Sequence, residues 1–202
     1  YVWSVVSGAA ELAIGDTVTN LVSQPGVEGN ATLAIMSRNH INILYGTSSS
    51  DWNLVKYRDE VGAYPYTVQE FGMTMMLDDR GVTNLFTVQA YGNFQHNSLS
   101  RLIQPWINTR KTKVSASCVA RDKSQYRLFF SDSYALYVTT DNRKVMGMMP
   151  IKLDNKVECM FSLEANDGSE EIFFGSDNGK VYQLDKGTSM DGGDVEAILS
   201  LH

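Results

Sequence analysis

Glu171-Ile-Phe-Phe-Gly-Ser-Asp-Asn-Gly-Lys-Val-Tyr-Gln-Leu-Asp185 reads as a β-hairpin. Ile172 to Gly175 and Val181 to Leu184 are rich in β-forming residues. The Asn178-Gly179 dipeptide between them predicts a type I′ turn, in which both central residues take positive φ. A looser copy stands 44 residues earlier, counted from Phe173 back to Phe129. It runs Arg127-Leu-Phe-Phe-Ser-Asp-Ser-Tyr-Ala-Leu-Tyr-Val-Thr139, with Phe129-Phe130 in the place of Phe173-Phe174 and Ser131-Asp132 in that of Ser176-Asp177. One residue of slack separates the two registers.

Further upstream, Ile41-Asn-Ile-Leu-Tyr-Gly-Thr47 sets Leu44-Tyr45 before a small-residue turn, about two periods ahead of Phe129-Phe130. The middle copy falls near Leu85-Phe86, where the turn signal Asp78-Asp79-Arg80-Gly81 precedes the apolar pair instead of following it. A period of about 40 to 50 residues is that of four-stranded propeller blades. Cys118 and Cys159 both fall in the strand that precedes a hairpin. The expected fold is all-β: a β-propeller, or part of one, built from four-stranded antiparallel blades in a single domain over 1–202.

From Val114 on, two blades can be drawn. The first is Val114 to Arg121, Gln125 to Phe130, Ala135 to Thr139 and Val145 to Met149. The second is Val157 to Glu164, Glu171 to Gly175, Val181 to Leu184 and Val195 to Leu201. In the first half, Ala31 to Met36 pairs with Ile41 to Tyr45 around Arg38-Asn39-His40. A strand covers Asn53 to Lys56, Pro65 opens a run to Gly72, and Met73 to Leu77 pairs with Val82 to Val88. One stretch breaks the β rhythm. Leu99, Leu102, Ile103, Trp106 and Ile107 have helical spacing, which predicts a helix over Ser98 to Asn108 with Ser98 as its cap. Pro105, costly by about 3 kcal/mol in a helix interior, keeps that helix short or kinked. The methionines of Met73-Met75-Met76 and Met146-Met148-Met149 are read as core filling.

With 202 residues and 43% hydrophobic content the chain buries a full core. A net charge of −6 argues against a surface that captures phosphate backbones. The one basic cluster, Arg110-Lys111-Thr112-Lys113, is short and reads as a solvated linker. The two cysteines, on different blades, are expected to be reduced and buried. No stretch approaches the ~20 apolar residues of a membrane span and no signal peptide is visible, so a protein made in the cytosol is expected. A start at Tyr1 and an end at Leu201-His202 in mid-pattern suggest a piece of a longer protein.

Catalytic patterns are missing from the sequence. His40, His96 and His202 sit in loops or at an end, and no Gly-x-Ser-x-Gly elbow occurs. A sialidase-like propeller needs Asp-box hairpins, which Ser176-Asp-Asn-Gly179 matches only loosely and without the Trp. The acidic loop Glu164-Ala-Asn-Asp-Gly-Ser-Glu-Glu171 and the stretch Asp191-Gly-Gly-Asp194 could gather oxygens around Ca²⁺, yet turn chemistry accounts for both. Asp78-Asp79 reads as a turn cap facing solvent. No enzyme activity, cofactor or metal is expected.

The runs Arg38-Asn-His-Ile-Asn-Ile-Leu-Tyr-Gly-Thr-Ser-Ser-Ser-Asp-Trp-Asn53, Leu77-Asp-Asp-Arg-Gly-Val-Thr-Asn-Leu85 and Phe173-Phe-Gly-Ser-Asp-Asn-Gly-Lys-Val-Tyr-Gln-Leu-Asp-Lys-Gly-Thr-Ser-Met-Asp-Gly192 carry a family likeness. In motif order and spacing across most of the chain, it resembles the tail nozzle, or tail hub, proteins of short-tailed bacteriophages, also called packaged-DNA stabilisation proteins. The resemblance implies a β-propeller around the axial channel of a hexameric ring. That ring sits below portal and adaptor, retains packaged DNA and passes it at ejection without sequence-specific binding. Adaptor, needle or fibre proteins would be its partners, the virion tail its location and the host bacterial cytoplasm its place of synthesis. It brings no catalytic set.

The expected partner contacts lie on the loop Thr47 to Trp52, through Ser49, Asp51 and Trp52, and on the helical insertion, through Arg101, Gln104 and Trp106. A second reading is a carbohydrate- or receptor-binding propeller module of a tail, with Trp52, Tyr64 and Tyr66 stacking on sugar faces. A third is a glycoside hydrolase or sialidase, which needs two carboxylates about 5 to 10 Å apart in one pocket.

Overall fold

The structure, a computed structural model, describes residues 12–24, 32–46, 48, 50–85, 100–142 and 144–195. The chain is mostly β, in several small antiparallel sheets of two to four strands. It divides into two compact units, Tyr1–Thr112 and Lys113–His202.

In the first unit, β1 (Val18–Gln24), β2 (Thr32–Ser37), β3 (His40–Tyr45) and β4 (Asn53–Asp59) form one sheet in chain order. Pairing of Ala34 with Ile43 and Met36 with Ile41 fixes the register of the expected hairpin. Ala34, Met36, Ile41, Ile43, Val61, Ala63 and Met76 form its core. Each fully buried Ile or Met stabilises by about 1.5–3 kcal/mol. The chain then crosses the β2–β3 turn so closely that Gly62 is required: a Cβ there would stand 2.2 Å from the Arg38 carbonyl oxygen. A second sheet holds β5 (Gln69–Glu70), β6 (Thr74–Asp78) and β7 (Gly81–Asn84), again in order. The run from Pro65 to Gly72 yields only the two residues of β5. Leu85 ends the described part of this region, so Phe86 to Val88 of the expected β7 partner lie outside it.

The helical insertion is a 3-10 turn at Arg101–Ile103 followed by α1 (Gln104–Asn108). Pro105 lies in the first turn of α1, where a missing N–H costs nothing. Ser98, the expected cap, lies outside the described residues. Ser100, nearly fully buried, instead accepts the Val82 N–H through its Oγ at 3.0 Å and donates to Gln104 Oε1 at 3.3 Å.

In the second unit, β8 (Val114–Ala120), β9 (Gln125–Phe130), β10 (Tyr134–Asp141) and β11 (Lys144–Lys152) form a four-stranded sheet that matches the first expected blade. β12 (Cys159–Glu164), β13 (Glu170–Gly175) and β14 (Val181–Gln183) match three strands of the second. For its fourth, Val195 lies outside any strand and 196–201 are not described. A small hairpin that the sequence reading did not anticipate, β15 (Ser189–Met190) with β16 (Gly193–Asp194), follows β14. The first strands β8 and β12 pack against each other. β9 and β10 are buried along most of their length on both faces, whereas β11 is exposed or half-exposed throughout.

Three local expectations are corrected. Gly179 has φ +76 but Asn178 does not have positive φ, so the β13–β14 connection is not type I′. Gly179 N–H donates to the Ser176 carbonyl at 3.1 Å, giving a type I turn closed by a left-handed residue. The earlier copy uses the same device: Ser133, at φ +65, donates to the Phe130 carbonyl at 3.1 Å. The second methionine group is not core: Met75 and Met76 are fully buried, but Met146 and Met149 are exposed on the edge strand β11. Both cysteines are free thiols, yet Cys159 is exposed and only Cys118 is buried.

Candidate binding site

In β9 and β10, Arg127 and Tyr137 are directly paired, so their side chains are neighbours on one face. The Arg127 guanidinium lies 4.1 Å from the Tyr137 ring centroid. Only 1% of Arg127 is exposed. A buried charge survives only when paired. Gln125 Oε1 accepts from its Nε at 3.0 Å and its Nη2 at 2.7 Å, and Asp185 Oδ2 lies 2.7 Å from Nη2. Lys123 Nζ also reaches Asp185, at 3.0 Å. Burial pushes the Asp185 carboxyl up, but hydrogen bonds and charge from Arg127 and Lys123 outweigh it and hold the pKa below the ordinary value. Asp185 takes φ +58, which turns the chain out of β14 toward this cation. Asp122 and Glu170 make a second tie, each carboxylate accepting the other residue's backbone N–H at 3.2 Å.

Beside the Arg127–Asp185 pair lies a cavity of about 450 Å³. Tyr137 and Ile151 come from β10 and β11, Phe174 and Tyr182 from β13 and β14, and Leu153 and Met190 complete its apolar lining. Phe174 and Tyr182 are a cross-strand pair and stack with centroids 5.0 Å apart and planes 20° off parallel. Tyr137 packs edge-on against Phe129, and burial pushes its hydroxyl up to about 12, so it stays neutral. Asp154, Asn155, Asp185, Lys186, Thr188 and Asp191 supply the polar lining. A chain of hydrogen bonds orders one side of it. Asn178 Nδ2 donates to Asn155 Oδ1 at 3.0 Å and to the Tyr182 hydroxyl at 2.7 Å, and that hydroxyl donates to Asp191 Oδ2 at 3.3 Å. Asn178 therefore serves this network rather than a primed turn. Of these lining residues the sequence singled out only Asp191, weighed as a Ca²⁺ oxygen donor and read as turn chemistry. The stacked pair had a signal in it, since Phe174 and Tyr182 stand on the two strands of the hairpin first recognised.

The expected contact residues lie in the first unit. Asp51 closes its own loop: its Oδ1 accepts the Ser48 N–H at 2.7 Å and the Ser48 hydroxyl at 3.0 Å. Trp52 follows it on the surface, 38% exposed, and Ser49 lies outside the described residues. Arg101 is exposed. Gln104 is bonded within the insertion, accepting from Ser100 and donating to Asn108. Trp106 lies under the Arg110 guanidinium at 4.4 Å. Of the tyrosines proposed to stack on sugars, Tyr66 is exposed, but Tyr64 is buried, covered by Arg38 at 3.9 Å, and donates to Asp79 Oδ1 at 2.8 Å.

The acidic loop before β13 is a turn, with Asp167 Oδ1 accepting from Ser169 N–H and hydroxyl at 3.0 and 2.6 Å. Asp191 and Gly192, both at positive φ, form the tip of the β15–β16 hairpin. Among the described residues no three His, Cys, Asp or Glu side chains converge to hold a metal ion, and no helix is long and apolar enough to cross a membrane. No protein-family model matches the chain, and no curated protein matches it.

Proposed function

We propose that the chain is a structural component of a phage tail, a β-propeller nozzle or hub that helps retain packaged DNA and docks other tail proteins. The observation that carries the propeller reading is the packing of β8 against β12. These are the first strands of two successive up-and-down sheets, and in a propeller the first strand of each blade lies nearest the axis, beside its neighbour's. The burial gradient supports the same reading. β9 and β10 are buried on both faces, as blades flanked on two sides must be, while the last strand β11 is exposed as an outer edge. The sheets of the first unit are also meanders of consecutive strands.

The nozzle role rests on the motif resemblance and on charge. A chain of net charge −6 does not release counterions by binding phosphates, so DNA would slide past it. Its partners would be adaptor, needle or fibre proteins, its full-length state a ring, its site of action the virion tail and its role free of catalysis. Deletion of the coding sequence from the phage tests this. Particles are expected to lose their genomes after packaging, read as DNA sensitive to added nuclease, whereas particles that keep sealed DNA and infect normally overturn the proposal.

A further inference from the structure

We propose that the cavity of the second unit is a binding site for a neutral saccharide. Its volume of about 450 Å³ lies within the ~300–1,000 Å³ of small-molecule sites. Tyr182, backed by the nearly parallel and buried ring of Phe174, makes an aromatic platform in a lining that it shares with Leu153 and Met190. A sugar ring presents a C–H face to such a platform and hydroxyls at its edge. Hydroxyls are donors, and carboxylates are the strongest acceptors a protein offers them. Asp154 and Asp191 line this cavity. The Asn155–Asn178–Tyr182–Asp191 chain holds one of these carboxylates and an amide in place before any ligand arrives.

The same residues exclude other ligands. Asp185 is neutralised by Arg127 and Lys123, which leaves Asp154 and Asp191 against Lys186 alone, an unfavourable balance for phosphates, sulfates or acidic sugars. A quaternary ammonium needs rings set steeply around one point. Here two rings are close to parallel and a face of the third, Tyr137, is already taken by Arg127. The site is independent of the tail reading, and its failure would leave that reading standing.

Titration of the whole chain by calorimetry tests the site, with methyl glycosides of glucose, galactose and N-acetylglucosamine and their disaccharides as probes. Sialyllactose and choline serve as the anionic and cationic comparators. Saturable binding of at least one neutral sugar is expected, with Kd in the range of about 1 mM or tighter. Asp154→Ala and Asp191→Ala, checked for folding by circular dichroism, are each expected to weaken it about tenfold. Trp52→Ala, in the other unit, is expected to leave it unchanged. The proposal fails if no neutral sugar binds up to about 10 mM, if binding survives both aspartate substitutions, or if sialyllactose or choline binds more tightly.

Discussion

Asp78 and Asp79 are adjacent carboxylates at one turn and end in opposite environments. Asp79 accepts from Arg38 at 2.6 Å and Tyr64 at 2.8 Å and lies 3.4 Å from Lys111. Burial pushes its carboxyl up, and these donors and cations more than reverse the effect. Asp78 is 2% exposed, and burial pushes its pKa to about 6 against the Arg80 and Gly81 N–H groups that pull it down. The unfolded chain gives up that proton near 3.8, so the folded state binds it more tightly. The stability contributed is therefore full below about pH 4 and lost as pH rises through about 6, on the order of 3 kcal/mol in all. Asp78→Asn keeps an acceptor for the Arg80 N–H and is expected to flatten this loss, read as the urea midpoint between about pH 4 and 7. A midpoint that falls with pH as steeply as in the parent chain would contradict it. Sequence alone read both residues as a solvated cap, because Asp78 is the last residue of β6, which is buried along its whole length, and that burial comes from the packing around the strand and not from the turn.

At the scale of elements, the hairpin pattern was legible because a strand's period of two and its turn residues are local. That is why β8 to β11 and β12 to β14 fall where the repeat put them. The cavity was not legible, since it assembles Tyr137, Phe174, Tyr182 and Asp191 from separate elements whose meeting no local spacing records. Arg127 marked only the start of a repeat copy, although its buried charge ties β9 to Asp185. Arg127→Met is expected to destabilise the chain at the lower end of about 3–5 kcal/mol, because Lys123 still compensates Asp185. Chemical denaturation measures this, and a loss below about 1 kcal/mol would show the pair to be dispensable. The thiols report the same sheets separately. Burial pushes Cys118 up to about 12, while Cys159 is exposed on β12. One equivalent of maleimide is therefore expected to react with the native chain, at Cys159, and the second only after unfolding. Two equally fast reactions would contradict the burial of β8.

For the whole molecule, the repeat of hairpins and the consecutive order of strands within the described sheets support the proposed geometry, in which these meanders are blades. Repetition in the sequence pointed to it, with Phe129 and Phe173 as markers, and the shared type I turns at Ser133 and Gly179 extend the likeness beyond residue identity. What the sequence did not record is where each meander stops, because β15, β16 and the exposed edge β11 depend on which surfaces are covered. A crystal structure of the chain tests the claim most directly. The account predicts β1, β5, β8 and β12, or the strands that stand first in each sheet, ranged around one axis with their sheets radiating from it. Sheets stacked face to face in two layers would contradict it.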